Sequence, residues 1–238
     1  MERHFAIELK ELKARILSMA GHVEMSIDRA ILALSERSMA RLAEVRPLEA
    51  KINQAHIEID NVCLAILARQ APVAVDLRLI LAVTKINTDL ERMGDQAVNL
   101  SHNTEHYLQH AALDIAKEIP QMAKLVQTMV RESLDAFVNG DAEAAKVVLR
   151  SDDAVDEFKN RLLETLKVRM KLDSTSIEAA INLLLMARNL ERIADHSTNI
   201  AEDVIFVSTG QDVRHGAGRA AEVAAAGVVR LGRDTQKA

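Results

Sequence analysis

Aromatic residues are nearly missing from this chain of 238 residues. There is no tryptophan, one tyrosine and four phenylalanines, 2% in all. A core must then be built from aliphatic side chains and the nine methionines. The shortage also removes the stacking platforms that single-stranded nucleic acids require. A formal charge of −5 lacks the basic face that a duplex binder needs. One cysteine, Cys63, cannot form an internal disulfide and fits a reducing compartment. It stands in an apolar run with Val62, Leu64, Ile66 and Leu67 and reads as core. Three prolines and eight glycines leave few helix breakers. No signal peptide opens the chain, and no apolar run has the roughly 18–20 residues a membrane span needs. The expected location is cytoplasmic.

What is present is helical periodicity. Leu9, Leu12, Ile16, Met19, Val23, Ile27, Ile31 and Leu34 recur at steps of three and four and predict a long first helix over about 5–36. A short helical lead-in follows over 39–45, and a second long helix runs from Pro47 through Ile52, Ile59, Val62 and Ile66 to about Arg69. Gln70-Ala71-Pro72 ends it. A third helix, with Asp76 or a neighbour as its cap, runs to about Tyr107 along the seam Ile86, Leu90, Met93, Ala97 and Leu100.

The pattern then repeats. Pro120 suits a first turn, and Met122, Leu125, Val126, Met129, Val130, Leu134 and Phe137 form the next seam, closed by Asn139-Gly140. Asp141 is placed to cap a fifth helix ending near Leu172. A tight turn over 173–176 leads to a sixth, through Ile181, Leu184, Leu190, Ile193, Ile200 and Val204, which fades at Gly210. The copies align by position. Val23, Ile31, Leu34, Glu49 and Asn53 match Val126, Leu134, Phe137, Asp152 and Asp156 at an offset of 103. Glu91, Arg92, Asp95 and Asn99 match Glu191, Arg192, Asp195 and Asn199 at an offset of 100. The fold class expected is all-α: two tandem antiparallel three-helix bundles, residues 1–111 and 112–210, with short loops forcing antiparallel neighbours. Residues 211–238 are rich in Gly and Ala with a slight basic excess, and read as a mobile tail.

Each repeat carries an acidic stripe. With Leu90 and Met93 facing the core, Glu91, Asp95 and Asn99 point outward, one above another on one helix face. Glu191, Asp195 and Asn199 do the same. The second helices add Glu49 with Asn53, and Asp152 with Asp156. Carboxylates four apart repel by a few tenths of a kcal/mol. A bridging cation reverses that sign, and two such helices side by side make an oxygen-rich cage for Mg²⁺, Mn²⁺, Zn²⁺ or Fe. The plain alternative is a solvated charged face with Arg92 and Arg192 as counter-charge. His102, His106 and His110, also four apart, offer a zinc pair or a complement to a helix dipole. No Gly-rich phosphate loop, H-E-x-x-H or inward E-x-x-H pairing occurs.

Asp76-Leu-Arg78, Leu90-Glu-Arg-Met-Gly-Asp95 and Leu190-Glu-Arg-Ile-Ala-Asp195 resemble the signatures of the PhoU family of bacterial phosphate-signalling proteins. The resemblance spans about residues 4–214, including Met19-Ala-Gly21 and Glu202-Asp-Val204, and leaves out the tail. It implies a usually dimeric negative regulator and no enzyme, limiting uptake and holding the response regulator PhoB unphosphorylated when phosphate is plentiful. The partners implied are PstB, the ATPase of the phosphate ABC transporter, and the sensor kinase PhoR, with membrane association only through them. It also implies surface metal clusters, of iron or zinc, on Glu91 with Asp95, Glu191 with Asp195, and Asp152 with Asp156. Glu49 with Asn53 departs from that pattern, since an amide ligates without charge. The competing function is metal binding or buffering with no direct signalling role. A metal-dependent hydrolase is a weaker third, because convex faces exclude no water.

Overall fold

The computed structural model describes residues 2–211 and 213. Six long helices carry the fold: α1 (Glu2–Glu36), α3 (Val45–Gln70) and α4 (Ala74–Leu108) in the first repeat, and α5 (Ile119–Asn139), α6 (Ala142–Leu172) and α7 (Ile177–Thr209) in the second. A one-turn helix, α2 (Met39–Leu42), links α1 to α3. Short 3₁₀ turns at Asp114–Glu118 and Ser174–Ser176 lead into α5 and α7. Within each repeat the three long helices pack against one another, as the two-repeat, all-α reading requires. The tail read from the sequence lies, apart from residues 211 and 213, outside the described residues.

The helix ends follow local chemistry. Asp141 caps α6 as expected: its carboxylate accepts from the backbone N–H of Glu143 at 2.9 Å and of Ala144 at 3.0 Å. Gly140 ends α5 at φ 65°, a left-handed backbone that glycine adopts without steric cost. Asp76 is not the cap of α4. Val73 holds that position with no side-chain bond, and Asp76 sits in the first turn, where a negative charge complements the helix dipole. Arg78 lies at the far end of α7, its guanidinium beside Gly210. There it complements the dipole's negative end, so the Asp-Leu-Arg signature ties one repeat to the other.

The seams are the predicted ones. Leu12, Ile16, Met19, Val23 and Ile27 on α1, and Ile86, Leu90, Met93, Ala97 and Leu100 on α4, are fully buried. So are Met122, Val126 and Val130 on α5 and Leu190, Ile193 and Ile200 on α7. Cys63 is buried, and burial together with Asp60 pushes its thiol up to about 11. Leu125 and Ile181, expected in the seams, are exposed. Leu125 sits at the edge of α5's apolar arc, whereas Ile181 lies on the outer face of α7 in line with the exposed Ile177 and Leu185.

The two repeats share one continuous apolar core. Its largest junction is the pair α4 and α7, the third helix of each repeat. They run antiparallel: Lys85 faces Asp203, Asp89 faces His196 and Asn199, and Thr104 faces Met186. The first helices meet the same way, with Arg131 on Glu24 at 2.9 Å and Gln127 on Asp28 at 2.7 Å. This places the outer faces of α4 and α7, and with them both acidic stripes, on neighbouring helices.

Candidate functional site: two unequal acidic faces

On the second repeat the structure gathers all four predicted residues. Asp152 and Asp156 on α6 stand against Glu191 and Asp195 on α7, close enough to repel one another. Burial first, then Asp195, Asp156, Asp153 and Glu191, push the Asp152 carboxyl up to about 6. Asp195 is raised for the same reasons, burial and then Glu191 and Asp156. A cation is already present there: the Lys159 ammonium sits 2.7 Å from Asp156 and 2.9 Å from Glu191, bridging the two helices. Those two carboxylates hold the Lys159 pKa up, at about 12. Sequence reasoning missed Lys159, although its spacing of three from Asp156 is a signal of pairing on a helix.

The first repeat is arranged differently. Ile52 packs on Gly94, so Glu49 and Asn53 of α3 flank the stretch of α4 that holds Glu91 and Asp95. Among the described residues no hydrogen bond or ion pair joins the α3 members to the α4 members. Arg92 supplies the counter-charge from within α4, 3.4 Å from Glu91 and 3.7 Å from Asp95. The position equivalent to Lys159 is His56. Its Nδ1 lies 3.3 Å from the Asn87 carbonyl oxygen and its Nε2 3.6 Å from Asp60. The expected counter-charge from Arg192 is not used. Lys159 holds Glu191 instead, and Arg192 makes no ion pair among the described residues.

As metal sites, the two donor sets differ in fit. Asp152, Asp156, Glu191 and Asp195 form an all-carboxylate, mutually repelling set that suits a hard divalent cation. Glu49, Asn53, Glu91 and Asp95 bring one less charge. Among the described residues no three His, Cys, Asp or Glu side chains converge on one point as they stand. A bound ion would therefore have to draw these side chains in and displace Lys159 from the second face. His102 and His106 are exposed on α4 and join no such group.

Asn199 departs from the outward stripe. It donates to Asp89 of the other repeat at 3.1 Å, and His196 Nδ1 lies 2.8 Å from the same carboxylate oxygen. Lys85 holds the buried Asp203 at 2.8 Å, and Lys85, Asp203, Asp89 and Asn199 edge a groove of about 690 Å³ between the repeats. The pseudo-equivalent positions carry Asn189 and Gln96, neutral amides, and Leu185 and Asn103. Asn199 alone recurs, as Asn99, so the repeat could not have revealed the cluster.

The chain's relatives agree with this architecture. A family model described as the PhoU domain matches residues 16–104 and again 119–204. The phosphate-specific transport system accessory protein PhoU homologue of Pseudomonas aeruginosa is 37% identical over 217 residues, spanning 90% of this chain and 89% of its own length. The accessory protein PhoU of Serratia marcescens is 32% identical over 218 residues, 92% of this chain and 90% of its own. The crystal structure of Pseudomonas aeruginosa PhoU superimposes with a TM-score of 0.83 at 36% identity, covering 87% of this chain and all 100% of that one. The phosphate transport system regulatory protein PhoU from Streptococcus pneumoniae gives 0.80 at 28% identity, covering 88% and 99%. Two matched repeats, end-to-end sequence relatives and superimposable crystal structures together make this chain a member of the PhoU family.

Proposed function

We propose that this protein is a regulatory adaptor of phosphate uptake. When phosphate is plentiful it represses phosphate-starvation signalling and limits uptake, linking the transporter ATPase PstB to the sensor kinase PhoR. The observation that carries this reading is end-to-end similarity to proteins named as accessory to the phosphate-specific transport system, over about nine-tenths of this chain. The relatives bear accessory and regulatory names, which supports an adaptor with no catalytic role of its own. Among the described residues no helix is long and apolar enough to cross a membrane, which fits a cytoplasmic homodimer that reaches the membrane only through its partners.

The metal reading attaches to the same faces. Asp152, Asp156, Glu191 and Asp195 would hold one ion or cluster, and Glu49, Asn53, Glu91 and Asp95 a weaker one, with iron, zinc, manganese or magnesium as candidates. A bound cation would offset the burial and the repulsion that raise Asp152 and Asp195 and would tie α6 to α7. Metal buffering without signalling is the alternative function that these residues leave open.

Alkaline phosphatase reporter activity in phosphate-rich medium tests the adaptor. Deletion of the gene is expected to raise it, and the restored wild type to silence it. Unchanged activity on deletion would overturn the repressor reading. Changing Glu91, Asp95, Glu191 and Asp195 to Ala is expected to leave the helices folded, since these are outward positions. Elemental analysis then decides the ligands: metal per chain equal to the wild type would remove them from the assignment.

A further inference from the structure

The internal duplication supplies a control for each surface, and one surface differs from its counterpart in charge. Along α7 the solvent-facing positions recur every three or four residues as Ile177, Ile181, Leu185, Arg188 and Arg192. Ile177 is 36% exposed, Ile181 41% and Leu185 39%. Arg188 and Arg192 form no ion pair among the described residues, and Glu191 is held by Lys159. On α4 the equivalent positions are Leu77, Leu81, Lys85, Thr88 and Arg92. There the third apolar position is a lysine held by Asp203, the first arginine is a threonine, and Arg92 is held by Glu91 and Asp95. Leu77 and Leu81 are exposed too, at 37% and 45%. What sets α7 apart is a third apolar side chain, Leu185, followed by two arginines with no ion pair among the described residues, where α4 has cations paired to its own carboxylates or to Asp203.

Resting on the adaptor reading above, we infer that this outer face of α7 is the docking surface for an acidic amphipathic helix of a partner protein. The stripe from Ile177 to Arg192 is about 22 Å long at 1.5 Å per residue. A helix of about 15 residues covers it, with apolar side chains on the Ile177–Leu185 end and Asp or Glu over Arg188 and Arg192. Charge complementarity selects this occupant. In a chain of net charge −5, two neighbouring arginines with no ion pair among the described residues, beside exposed aliphatics, match an acidic partner. An anionic lipid surface matches less well: a helix can end over Arg192, whereas a flat membrane would extend past it onto Asp195, Glu191, Asp152 and Asp156.

The test uses the full-length protein against purified PstB and the cytoplasmic part of PhoR. Three forms are compared: wild type, R188E/R192E, and the control T88E on α4. All substituted positions are exposed, and circular dichroism melting verifies that each variant folds. Binding to at least one partner is expected to weaken 10-fold or more in R188E/R192E, with T88E within 2-fold of wild type. The wild-type affinity is also expected to fall with salt more steeply than that of the double variant. Wild-type binding that R188E/R192E leaves intact would overturn the surface while the adaptor reading stands. Absence of wild-type binding to both proteins would count against the adaptor reading itself. Two further outcomes overturn the occupant: arginine-dependent sedimentation with phosphatidylglycerol vesicles, and conversion of a dimer to a monomer by L185E in analytical ultracentrifugation.

Discussion

Single residues show how the two repeats reached the same packing by different means. A Cβ on Gly94 would lie 3.1 Å and 3.2 Å from Ile52 Cδ1 and Cγ2. The equivalent pair in the second repeat is Ala194 with Val155, where the helix gains a methyl and its neighbour loses one. Gly94→Ala should gain about 1 kcal/mol of helix propensity and lose about 1–3 kcal/mol to overpacking. Ile52→Val alone should cost about 0.5–1.5 kcal/mol. The double variant should recover the overpacking, giving a favourable coupling of at least about 0.5 kcal/mol in a urea-denaturation cycle. Additive effects would mean that the two side chains do not compete for one space.

Asp152 makes a prediction about pH at the same scale. Its folded value, about 6, lies above the ordinary 3.8. The folded state therefore holds this proton more tightly than the unfolded state, so its contribution to stability is fully present below about 4 and is lost as pH rises through about 6. In chelator-treated protein, Asp152→Asn should raise Tm at pH 7 by about 2–4 °C, the shift that about 1 kcal/mol produces in a chain of this size. Partial solvent exposure keeps the gain from being larger. At pH 4 the two proteins should melt within about 1 °C of each other. A Tm unchanged at pH 7 would mean that Asp152 does not feel the carboxylates facing it.

At the scale of the helix, caps and seams are separable. Asp141→Ala removes two hydrogen bonds from the start of α6 and should cost about 1 kcal/mol, with helicity otherwise kept. Leu90→Asp puts a charge into the fully buried seam of α4 and should cost about 4 kcal/mol or more. Chemical denaturation followed by circular dichroism measures both. The seams were legible in the sequence because a spacing of three and four leaves one arc for the core, and Leu90, Met93 and Ala97 could face nowhere else. The border position Leu125 was not, because exposure there is set by how far the neighbouring helix reaches, and Ile181 was not, because an apolar side chain on an outer face carries the same letter as one in a seam. The carboxylates of the candidate site were legible from their recurrence at fixed offsets. Lys159, which bridges two of them, belongs to one copy only, and recurrence is blind to it.

At the scale of the whole molecule, the antiparallel pairing of α4 with α7 welds the repeats. Their apolar residues form one cluster, and polar links such as Lys85–Asp203 and Asp89–His196 cross the junction. Residues 16–104 and 119–204 are repeats in sequence, yet each leaves its third helix uncovered without the other. Calorimetry of the full chain should therefore show one transition, with calorimetric and van't Hoff enthalpies agreeing within about 10%. Two resolved transitions would mean that the bundles are independent units. The junction itself was hidden from sequence reading, since the charged pairs that cross it have neutral amides or apolar side chains at the equivalent positions.

Two halves that began alike and share one core are not free to drift apart at equal rates everywhere. A change in a seam must be answered at once by its packing neighbour, as Gly94 and Ile52 are answered by Ala194 and Val155. A change on an outer face need answer to nothing inside the protein. Thr88 against Arg188, both exposed, is a difference of this freer kind. Duplication has thus left this molecule with a spare copy of each outer surface, and a second copy can be specialised for a new acquaintance while the first goes on holding the fold together.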